Sequence, residues 1–428
     1  YRMRVHFIGC EGVSMRRLRE LTEREGHVTT GSDEATMGHS AAFVRGADVA
    51  VYSAAVKPDN PELTEARRTG IPVVGRAEYL AAIASGYGRV IAVSGTHGKT
   101  TVTGMLAAAM SRRFPTVHVG GEIKDKPVRE ERDFFITEAC EYRRSFLELR
   151  PDVGVILNAE LDHTDCYKSK ADVLAAFSAF SENCRFTLYN GDDEELEAAV
   201  KGSRASFGFG EGCCFRATDI TIDEDGYPSF FVAASGLKLG KISLRVRGMH
   251  NVLDALAAAA VALSEGEPMS EISAGLHRFT GVKRRMERVG SAFGAEVYTD
   301  YAHHPTEIRA ALAAVPPHKG RLLVIFEPHT YSRTRDLTGE FATAFTAADE
   351  VVLAPVFASR ETGDDSAVLA LFGEIKKHNA ARYFASYDEI NRYVAGVLTS
   401  GDLALYTGAG TINRAAEKLV SDYGDMRE

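Results

Sequence analysis

The chain alternates short apolar runs with longer stretches in which apolar residues recur at helical spacing. In the first part, strand-like runs alternate with helix-like stretches, the strands at 5–8, 49–53 and 71–74 and the helices at 15–25 and 60–69. Parallel strands buried on both faces are continuous apolar runs joined by crossover helices. The pattern therefore predicts a parallel α/β sheet up to about residue 88, ending in a linker at 86–88.

The middle of the chain changes its pattern. Buried parallel strands are predicted at 89–93, 134–137 and 153–157, with an apolar helix at 101–110. From residue 205 to 248 apolar and polar residues alternate, which predicts a small antiparallel appendage. An alanine-rich helix is predicted to follow at 251–264.

The last part returns to strands separated by helices, with strands predicted at 296–299, 322–326, 350–353 and 403–406. At 428 residues, the chain is too long for one hydrophobic core. We predict an α/β protein of three domains: a Rossmann-like domain at 1–88, a central P-loop domain at 89–288 with the antiparallel appendage, and a Rossmann-like domain at 289–428.

Composition excludes several classes of protein. The net charge of −9 argues against nucleic acid as a partner, and no apolar run is long enough to cross a membrane. The six cysteines lack CxxC spacing, and two of them, Cys213 and Cys214, are adjacent. A zinc cluster or a disulfide framework is therefore not expected, and the reducing cytoplasm is the expected location.

The strongest local signal is a glycine-rich segment between a predicted strand and a predicted helix, Gly95-Thr96-His97-Gly98-Lys99-Thr100-Thr101. Backbone N–H groups and the helix dipole at such a turn attract an anion. Lys99 supplies a charge for the β- and γ-phosphates, and Thr100 a hydroxyl for Mg²⁺. The segment matches a shortened P-loop, because Val93 occupies the usual first glycine position. A glycine turn followed by a surface lysine is the competing interpretation.

Polar residues follow the next two predicted strands. Glu138 and Glu141 come after one strand, and the segment 158–165, which contains Asp162 and His163, comes after the other. Because parallel strands end at one edge of a sheet, we expect these side chains beside the phosphate loop. Carboxylates and histidine there are able to bind divalent cations. For any one of these residues alone, a solvated loop position is an equal alternative.

At this point the sequence resembles the Mur ligase family, which builds the peptide stem of bacterial cell wall precursors. The resemblance covers essentially the whole chain in order, through the phosphate loop and the segments 158–163, 250–258, 281–287 and 300–305. Within the family, the doubled histidine of 300–307, the segment 328–335 and an N-terminal block are similar to the branch that adds L-alanine to UDP-N-acetylmuramate.

The resemblance implies an ATP-dependent ligase of peptidoglycan synthesis that uses ATP and Mg²⁺. It would join L-alanine to the carboxylate of UDP-N-acetylmuramate through an acyl phosphate, forming ADP and phosphate. The first domain would bind the UDP substrate, the central domain ATP, and the third domain the amino acid. The third domain is expected to close over the ATP site. A monomer or weak homodimer is expected.

The resemblance also assigns roles to residues. Reaction-centre positions are Lys99, His163, His304 and Arg333, and cation ligands are Thr100, Glu138 and His163. Nucleotide contacts are expected from Gly95, Thr96, His97, Gly98, Lys99, Thr100, Thr101, His250, Asn251, Arg285 and Asp300. Substrate contacts are expected from Gly9, Gly12, Ser14, Asp33, His329 and Arg335.

Some positions depart from the family pattern and leave the substrate open. Ser14 stands at the usual third glycine, Thr330 replaces a common arginine, and Tyr142-Arg143-Arg144 replaces common acids. A recycling ligase that attaches a pre-made murein tripeptide is the nearest alternative. An oxidoreductase, suggested by Gly9-x-x-Gly12, leaves the P-loop unexplained. A non-catalytic ATP-binding module is the third alternative. Taken alone, Asp33 fits a turn, His329 a packed histidine, and Arg333 and Arg335 a solvated helix start.

Overall fold

The computed structural model describes residues 2–124, 129–359 and 361–424, so the predicted limits at 1 and 428 lie outside it. The described chain forms three separate sheets in sequence order, each with helices beside it. The predicted three-domain α/β architecture is thereby confirmed. The residues at which the domains meet stay a prediction.

The first sheet has four parallel strands in the order β2-β1-β3-β4. The strands are β1 (Arg4–Ile8), β2 (Val28–Ser32), β3 (Val49–Tyr52) and β4 (Val73–Gly75). The helices are α1 (Val13–Arg24), α2 (Pro61–Thr69) and α3 (Arg76–Ala84). The Asn60 side chain accepts hydrogen bonds from two backbone N–H groups of α2, which explains where this helix begins.

The central sheet has nine strands in the order β13-β12-β11-β10-β9-β8-β5-β7-β6. The strands are β5 (Arg89–Ser94), β6 (Pro115–His118), β7 (Glu131–Glu138), β8 (Val153–Ile156), β9 (Phe186–Asn190), β10 (Arg204–Gly208), β11 (Phe215–Ile222), β12 (Pro228–Ala234) and β13 (Leu237–Ser243). The helices are α4 (Lys99–Ala109), α5 (Lys170–Asn183), α6 (Glu194–Ala199), α7 (Met249–Ser264) and α8 (Met269–Arg278).

The antiparallel strands predicted at 205–248 continue this sheet. β11, β12 and β13 pair in antiparallel fashion, as predicted. The prediction is wrong for β10, which runs parallel to both β9 and β11. Alternation of apolar and polar residues indicates that one face of a strand is exposed. It does not determine whether the strand runs parallel or antiparallel to its neighbours.

The third sheet has six strands in the order β14-β15-β19-β16-β17-β18, with only the β14–β15 pair antiparallel. The strands are β14 (Glu287–Ala292), β15 (Ala295–Asp300), β16 (Leu322–Phe326), β17 (Glu350–Leu353), β18 (Ala380–Tyr383) and β19 (Leu403–Thr407). The helices are α9 (Pro305–Ala313), α10 (Tyr331–Asp336), α11 (Thr338–Ala344), α12 (Ser366–Ile375), α13 (Tyr387–Val397) and α14 (Ile412–Tyr423). The edge strands β14 and β18 were not predicted, because neither is a continuous apolar run.

The parallel strands are buried on both faces. In β5, Ile91 and Val93 belong to the apolar core on one side of the central sheet, while Val90 and Ala92 belong to the core on the other side. This second core continues into the first domain, where it includes Phe7 of β1. The first and central domains therefore share one apolar core.

The third domain has two apolar cores of its own. Along β16, Val324 and Phe326 pack on one side of the sheet, and Leu323 and Ile325 pack on the other. Both cores are formed by residues beyond 285. Among the described residues, no helix combines the length and apolar composition that a membrane span requires.

The packing of α8 on α4 requires a glycine. A Cβ on Gly275 would lie 2.1 Å from the carbonyl oxygen of Ala108. We predict that Gly275→Ala lowers the free energy of unfolding by about 1–3 kcal/mol, because the two helices must move apart. Chemical denaturation of the purified variant measures this loss.

The matched control is Gly373→Ala in α12, where no atom of residues 2–124, 129–359 or 361–424 lies within 4 Å of a new Cβ, apart from the helix's own backbone and chain neighbours. That change should be neutral or stabilise by about 0.5–1 kcal/mol, because alanine favours the helix. Equal effects of the two substitutions would contradict the packing argument.

Candidate active site

The phosphate loop lies between β5 and α4, as predicted. Gly98 is the N-cap of α4 with a left-handed φ of 86°, and no side chain of the described residues caps the helix there. Its first N–H groups are therefore available to an anion. At Gly95, with a φ of 143°, a Cβ would lie 2.9 Å from the Leu157 side chain. Both positions require glycine.

Residues after β8 hold this loop in place. The Asn158 side chain accepts a hydrogen bond from His97 N at 2.8 Å and donates one to His97 O at 3.1 Å. The Thr96 hydroxyl accepts a hydrogen bond from Glu160 N at 2.9 Å. The loop conformation is thus fixed by the neighbouring parallel strand before any ligand binds.

The Lys99 ammonium is fully engaged within the loop. Nζ donates to Gly95 O at 2.5 Å, to Thr96 O at 3.2 Å and to Glu141 Oε2 at 2.9 Å. Burial alone would lower the pKa of Lys99, but the Glu141 carboxylate outweighs it and raises that pKa. The cation is therefore present at neutral pH at the position expected for it.

Two of the predicted cation ligands lie against the same turn. A Cβ on Gly120 would lie 3.1 Å from Glu138 Oε2, and a Cβ on Gly121 would lie 2.9 Å from the Thr100 side chain. Among the described residues, the buried Glu138 Oε1 atom has no hydrogen-bond partner. Thr100 and Glu138 thus lie against adjacent glycines, and a hydroxyl and an unsatisfied carboxylate oxygen are ligand types that suit a hard divalent cation.

His163 reaches the same region through Glu141. Its Nε2 lies 3.7 Å from Glu141 Oε1, the carboxylate that also holds Lys99, and 3.8 Å from Asp162 Oδ2. Burial lowers the pKa of His163, against the opposing effects of Asp162 and Glu141. A neutral imidazole is the form that binds metals.

A cavity of about 420 Å³ lies beside the loop, between the central and third domains. The loop contributes His97, Gly98 and Thr101 to its wall. The later predicted nucleotide-binding residues also line it, namely His250, Asn251, Arg285 and Asp300. Gly95, Thr96, Lys99 and Thr100 lie in the adjoining loop and first turn of α4.

The carboxylate of Asp300 accepts hydrogen bonds from the backbone where the chain enters the third domain. It accepts hydrogen bonds from Met286 N and Ala302 N, each at 2.7 Å. Arg285 NH1 lies 3.5 Å from Glu307 Oε1, and its guanidinium carbon lies 5.4 Å from the centre of the Tyr301 ring. These contacts hold the segment that enters the third domain, so both residues also have a structural role.

Two titratable groups in the cavity have strongly shifted pKa values. Burial, together with the nearby Arg285, lowers the pKa of His250 to about 4. Burial raises the pKa of Asp254 to about 8, although Arg285 acts in the opposite direction. Asp254 packs against Gly98, where a Cβ would lie 3.0 Å from its Oδ1. Both groups are therefore neutral in the absence of a ligand at pH 7.

The third domain is tied to the central domain by a buried ion pair. Arg333 Nε donates to Asp162 Oδ1 at 2.9 Å and NH2 donates to Asp162 Oδ2 at 3.1 Å. Only 7% and 8% of the two side chains are exposed. Burial alone would raise the pKa of Asp162, but Arg333 holds it well below its usual range. In this conformation Arg333 faces Asp162 rather than open solvent.

A second group of charged residues crosses the same junction. His304, the N-cap of α9, packs its ring against His97, with 4.8 Å between the ring centres. Thr306 Oγ1 donates to Glu160 Oε2 at 2.7 Å. Burial alone would lower the pKa of His97, but Glu307 and Glu160 raise it to about 9. Burial and the neighbouring His97 lower the pKa of His304.

The remaining third-domain candidates lie at α10. The His329 ring stacks on Phe357, with 5.6 Å between ring centres, and its Nδ1 lies 3.0 Å from Arg333 NH1. Arg335 is different: 68% of its side chain is exposed, and it pairs with Asp336 at 3.3 Å. The structure therefore brings His329 and Arg333 together and leaves Arg335 at the surface.

The first-domain glycine loop has the backbone expected of a tight turn. Gly9 has a φ of 75°, and a Cβ there would lie 2.7 Å from the Ser53 hydroxyl. Gly12 is the N-cap of α1, and within the described part of the chain no side chain caps this helix. Ser14 Oγ lies 3.0 Å from His118 Nε2 and accepts a hydrogen bond from Arg76 at 3.1 Å. Ser14 thus joins the first domain to the end of β6.

Asp33 holds the turn that follows β2. Its carboxylate accepts hydrogen bonds from Glu11 N at 2.9 Å and Ala35 N at 3.0 Å. These bonds fit the turn interpretation of Asp33, and its contact with a ribose stays a prediction.

Five charged residues of the site were given no individual role from the sequence, although Glu141 and Asp162 were expected beside the phosphate loop. They are Glu141, Glu160, Asp162, Asp254 and Glu307. Each lies within a segment already singled out from the sequence. Membership in those segments was the signal that could have identified them. Their pairing with particular partners depends on contacts between domains, which the sequence does not display.

The fold and the site define a nucleotide-binding α/β enzyme of three domains, with a phosphate loop surrounded by acids and histidines. Three family models match the chain: "Mur ligase family, catalytic domain" at 4–87, "Mur ligase middle domain" at 93–262 and "Mur ligase, glutamate ligase domain" at 284–410. The chain belongs to the Mur ligase family.

Individual relatives match over the whole length. The UDP-N-acetylmuramate–L-alanine ligase of Clostridium novyi is 39% identical over 447 residues, covering 97% of each chain. That of Alkaliphilus metalliredigens is 37% identical, covering 98% of this chain and 97% of its own. The crystal structure of the Thermotoga maritima UDP-N-acetylmuramate–alanine ligase has a TM-score of 0.83 at 27% identity, covering 98% of this chain and 99% of its own.

The raised pKa of Asp254 gives a pH-dependent prediction. Between about pH 4 and pH 8 the unfolded chain ionises this carboxyl while the folded chain keeps it protonated, so its contribution to stability falls as pH rises. Asp254→Asn should therefore match the wild type near pH 4. It should have a Tm higher by at least about 4 °C at pH 8 without nucleotide. Thermal unfolding across this range measures the difference.

The control is Asp364→Asn, because a hydrogen bond from Ser366 lowers the pKa of that exposed carboxyl. It should give no gain at pH 8. A gain for Asp254→Asn that is the same at every pH would contradict the assignment.

The buried pair of Arg333 and Asp162 gives a second prediction. Arg333→Ala should lower the free energy of unfolding by about 3–5 kcal/mol, because it leaves Asp162 buried without its partner. Adding Asp162→Asn should restore part of that loss. Arg335→Ala, at an exposed position on the same helix, should change stability by less than about 0.5 kcal/mol. Chemical denaturation of Arg333→Ala, Asp162→Asn, their double variant and Arg335→Ala measures the coupling, and additive effects of the Arg333 and Asp162 substitutions would contradict it.

Proposed function

We propose that this ligase joins L-alanine to the carboxylate of UDP-N-acetylmuramate, converting ATP to ADP and phosphate, in peptidoglycan precursor synthesis. The observation that carries the proposal is the whole-length similarity to ligases of that name, at 39% identity for the Clostridium novyi protein. The arrangement of the phosphate loop, its acids and the third-domain histidines supports the same reaction.

The chemistry explains why such a site is needed. A carboxylate does not acylate an amine in water, because its oxygen is a poor leaving group. Attack of a carboxylate oxygen on the γ-phosphorus of ATP expels ADP and gives an acyl phosphate. The amine then attacks the acyl carbon, loses a proton, and the C–O bond to phosphate breaks. The protein must neutralise phosphate charge, align the reactants and exclude water.

The loop residues fit the first step. Free N–H groups at the start of α4 and the charge of Lys99 would stabilise the phosphates. In the structure Glu141 and two loop carbonyls hold the Lys99 ammonium, so nucleotide phosphates would take over some of these contacts. The cavity lined by His250, Asn251 and Arg285 would receive the base and ribose.

The donor set also fits Mg²⁺. Thr100 and Glu138 would hold one ion, with the unpartnered Oε1 of Glu138 as a ligand atom, and His163 would help hold a second cation. Mg²⁺ would neutralise charge on the phosphates and on the transferring phosphoryl group. Aligning the reactants and excluding water would be the task of the protein's own residues.

The third domain would supply the amino acid site. At its junction with the central domain, His329 contacts Arg333, and His304 packs on His97. An arginine suits a substrate carboxylate. Because Asp162 already holds Arg333, the amino acid would compete for that guanidinium or use its remaining N–H groups. Exposed Arg335 is the further candidate. Gly9, Gly12, Ser14 and Asp33 would contact the UDP substrate.

The setting of the reaction is also a proposal. All six cysteines are free thiols, which suits the reducing cytoplasm. We place the enzyme there, acting on small molecules as a monomer or weak homodimer.

The test is phosphate release from ATP and Mg²⁺ with UDP-N-acetylmuramate and each candidate amine in turn. L-alanine should give the highest kcat/KM, and preference for the murein tripeptide would instead identify a recycling ligase. Lys99→Ala should lower kcat/KM by roughly 10²–10³ or more, because it removes the positive charge that stabilises the transferring phosphoryl group. ATP binding without amine-dependent phosphate release would overturn the proposed reaction.

A further inference from the structure

Three potential metal ligands from two domains meet outside the proposed magnesium site. His97 belongs to the phosphate loop and Glu160 follows β8, while His304 comes from the third domain. Their ligand atoms lie within 4.8 Å of one another. His97 Nε2 is 3.5 Å from Glu160 Oε2, and His304 Nδ1 is 3.7 Å from the same oxygen.

These separations suit a metal ion better than hydrogen bonds. Both exceed the usual hydrogen-bond length of about 2.7–3.2 Å. A tetrahedral ion with bonds of about 2.0–2.1 Å places its ligand atoms about 3.4 Å apart. The His97 and His304 separations from Glu160 are close to that edge length. Two histidines and one carboxylate form a ligand set typical of zinc.

Among the described residues, protein groups leave the cluster-facing nitrogen of His97 without a hydrogen bond and hold that of His304 only by a long one. The Nε2 atom of His97 is buried and has no hydrogen-bond partner among the described residues. Thr306 N approaches His304 Nδ1 at 3.3 Å, which places the lone pair of His304 on the nitrogen nearer to Glu160. A metal ion would replace this long contact.

Neighbouring groups orient the ligands. His97 Nδ1 lies 3.3 Å from Glu307 Oε1, so the ring nitrogen opposite the cluster faces a carboxylate. Thr306 Oγ1 donates to Glu160 Oε2 at 2.7 Å. Outer contacts of this kind fix the rings and carboxylates of metal sites. Glu160 and Glu307 together attract a cation to His97.

We propose that His97, Glu160 and His304 form a binding site for a divalent transition-metal ion such as Zn²⁺. The ion ties the third domain to the phosphate loop. Three protein ligands leave a tetrahedral ion one further position for water or a phosphate oxygen. The site differs in every residue from the proposed magnesium ligands Thr100, Glu138 and His163. It does not depend on which amine the enzyme uses.

The test uses the full chain without nucleotide, treated with a chelator, in the background Glu138→Gln with His163→Gln. This background removes competing ligands of the magnesium site. Titration with Zn²⁺ against a chromogenic chelator should show one bound ion per chain. Co²⁺ in its place should give the visible absorption bands of a tetrahedral ion. Adding His304→Gln or Glu160→Gln should weaken Zn²⁺ binding at least about tenfold.

The controls keep the outcome decisive. His250→Gln changes a histidine of the adjoining cavity outside the cluster and should leave the bound Zn²⁺ unchanged. His304→Cys retains a metal ligand and should add a sulfur-to-metal absorption band with Co²⁺, which separates loss of a ligand from loss of folding. Absence of a bound ion in the starting background would overturn the proposal. So would binding that His304→Gln leaves unchanged.

Discussion

The site depends on the parallel alignment of β5, β7 and β8. Their in-register pairing brings the phosphate loop, Glu138 and the segment after β8 to one edge of the central sheet. Residues far apart in the sequence thereby become neighbours, because paired strands rather than long loops position them. Because these strands are buried on both faces, a shift in register would disrupt the packing of both cores, so the cores also fix the positions of the charged groups.

Charge balance is the second property of the site. Lys99, His97 and Arg333 each lie against carboxylates, respectively Glu141, Glu307 and Asp162. Buried ion pairs are costly to separate. A substrate that carries phosphates and carboxylates would supply negative charges in place of those protein carboxylates. The protein's own carboxylates therefore hold these cationic side chains in the positions from which they would bind substrate anions.

Much of this fold and part of the site were predictable from the sequence. Continuous apolar runs such as β16 predict buried parallel strands, and a glycine-lysine turn after β5 predicts a phosphate site. The edge strand β14 was missed because Gly290 and Ser291 interrupt its apolar pattern. The pairing of Asp162 with Arg333 joins residues 171 positions apart. It depends on how two domains dock, which periodicity does not encode.

The distribution of apolar cores has a mechanical consequence. Since the first and central domains share a core, separating them would expose hydrophobic side chains, and the two form one base. The third domain carries complete cores of its own, and the contacts described above at its junction with the base are largely polar and charged. Moving this arm therefore exchanges ion pairs for hydration and leaves the apolar cores on both sides intact.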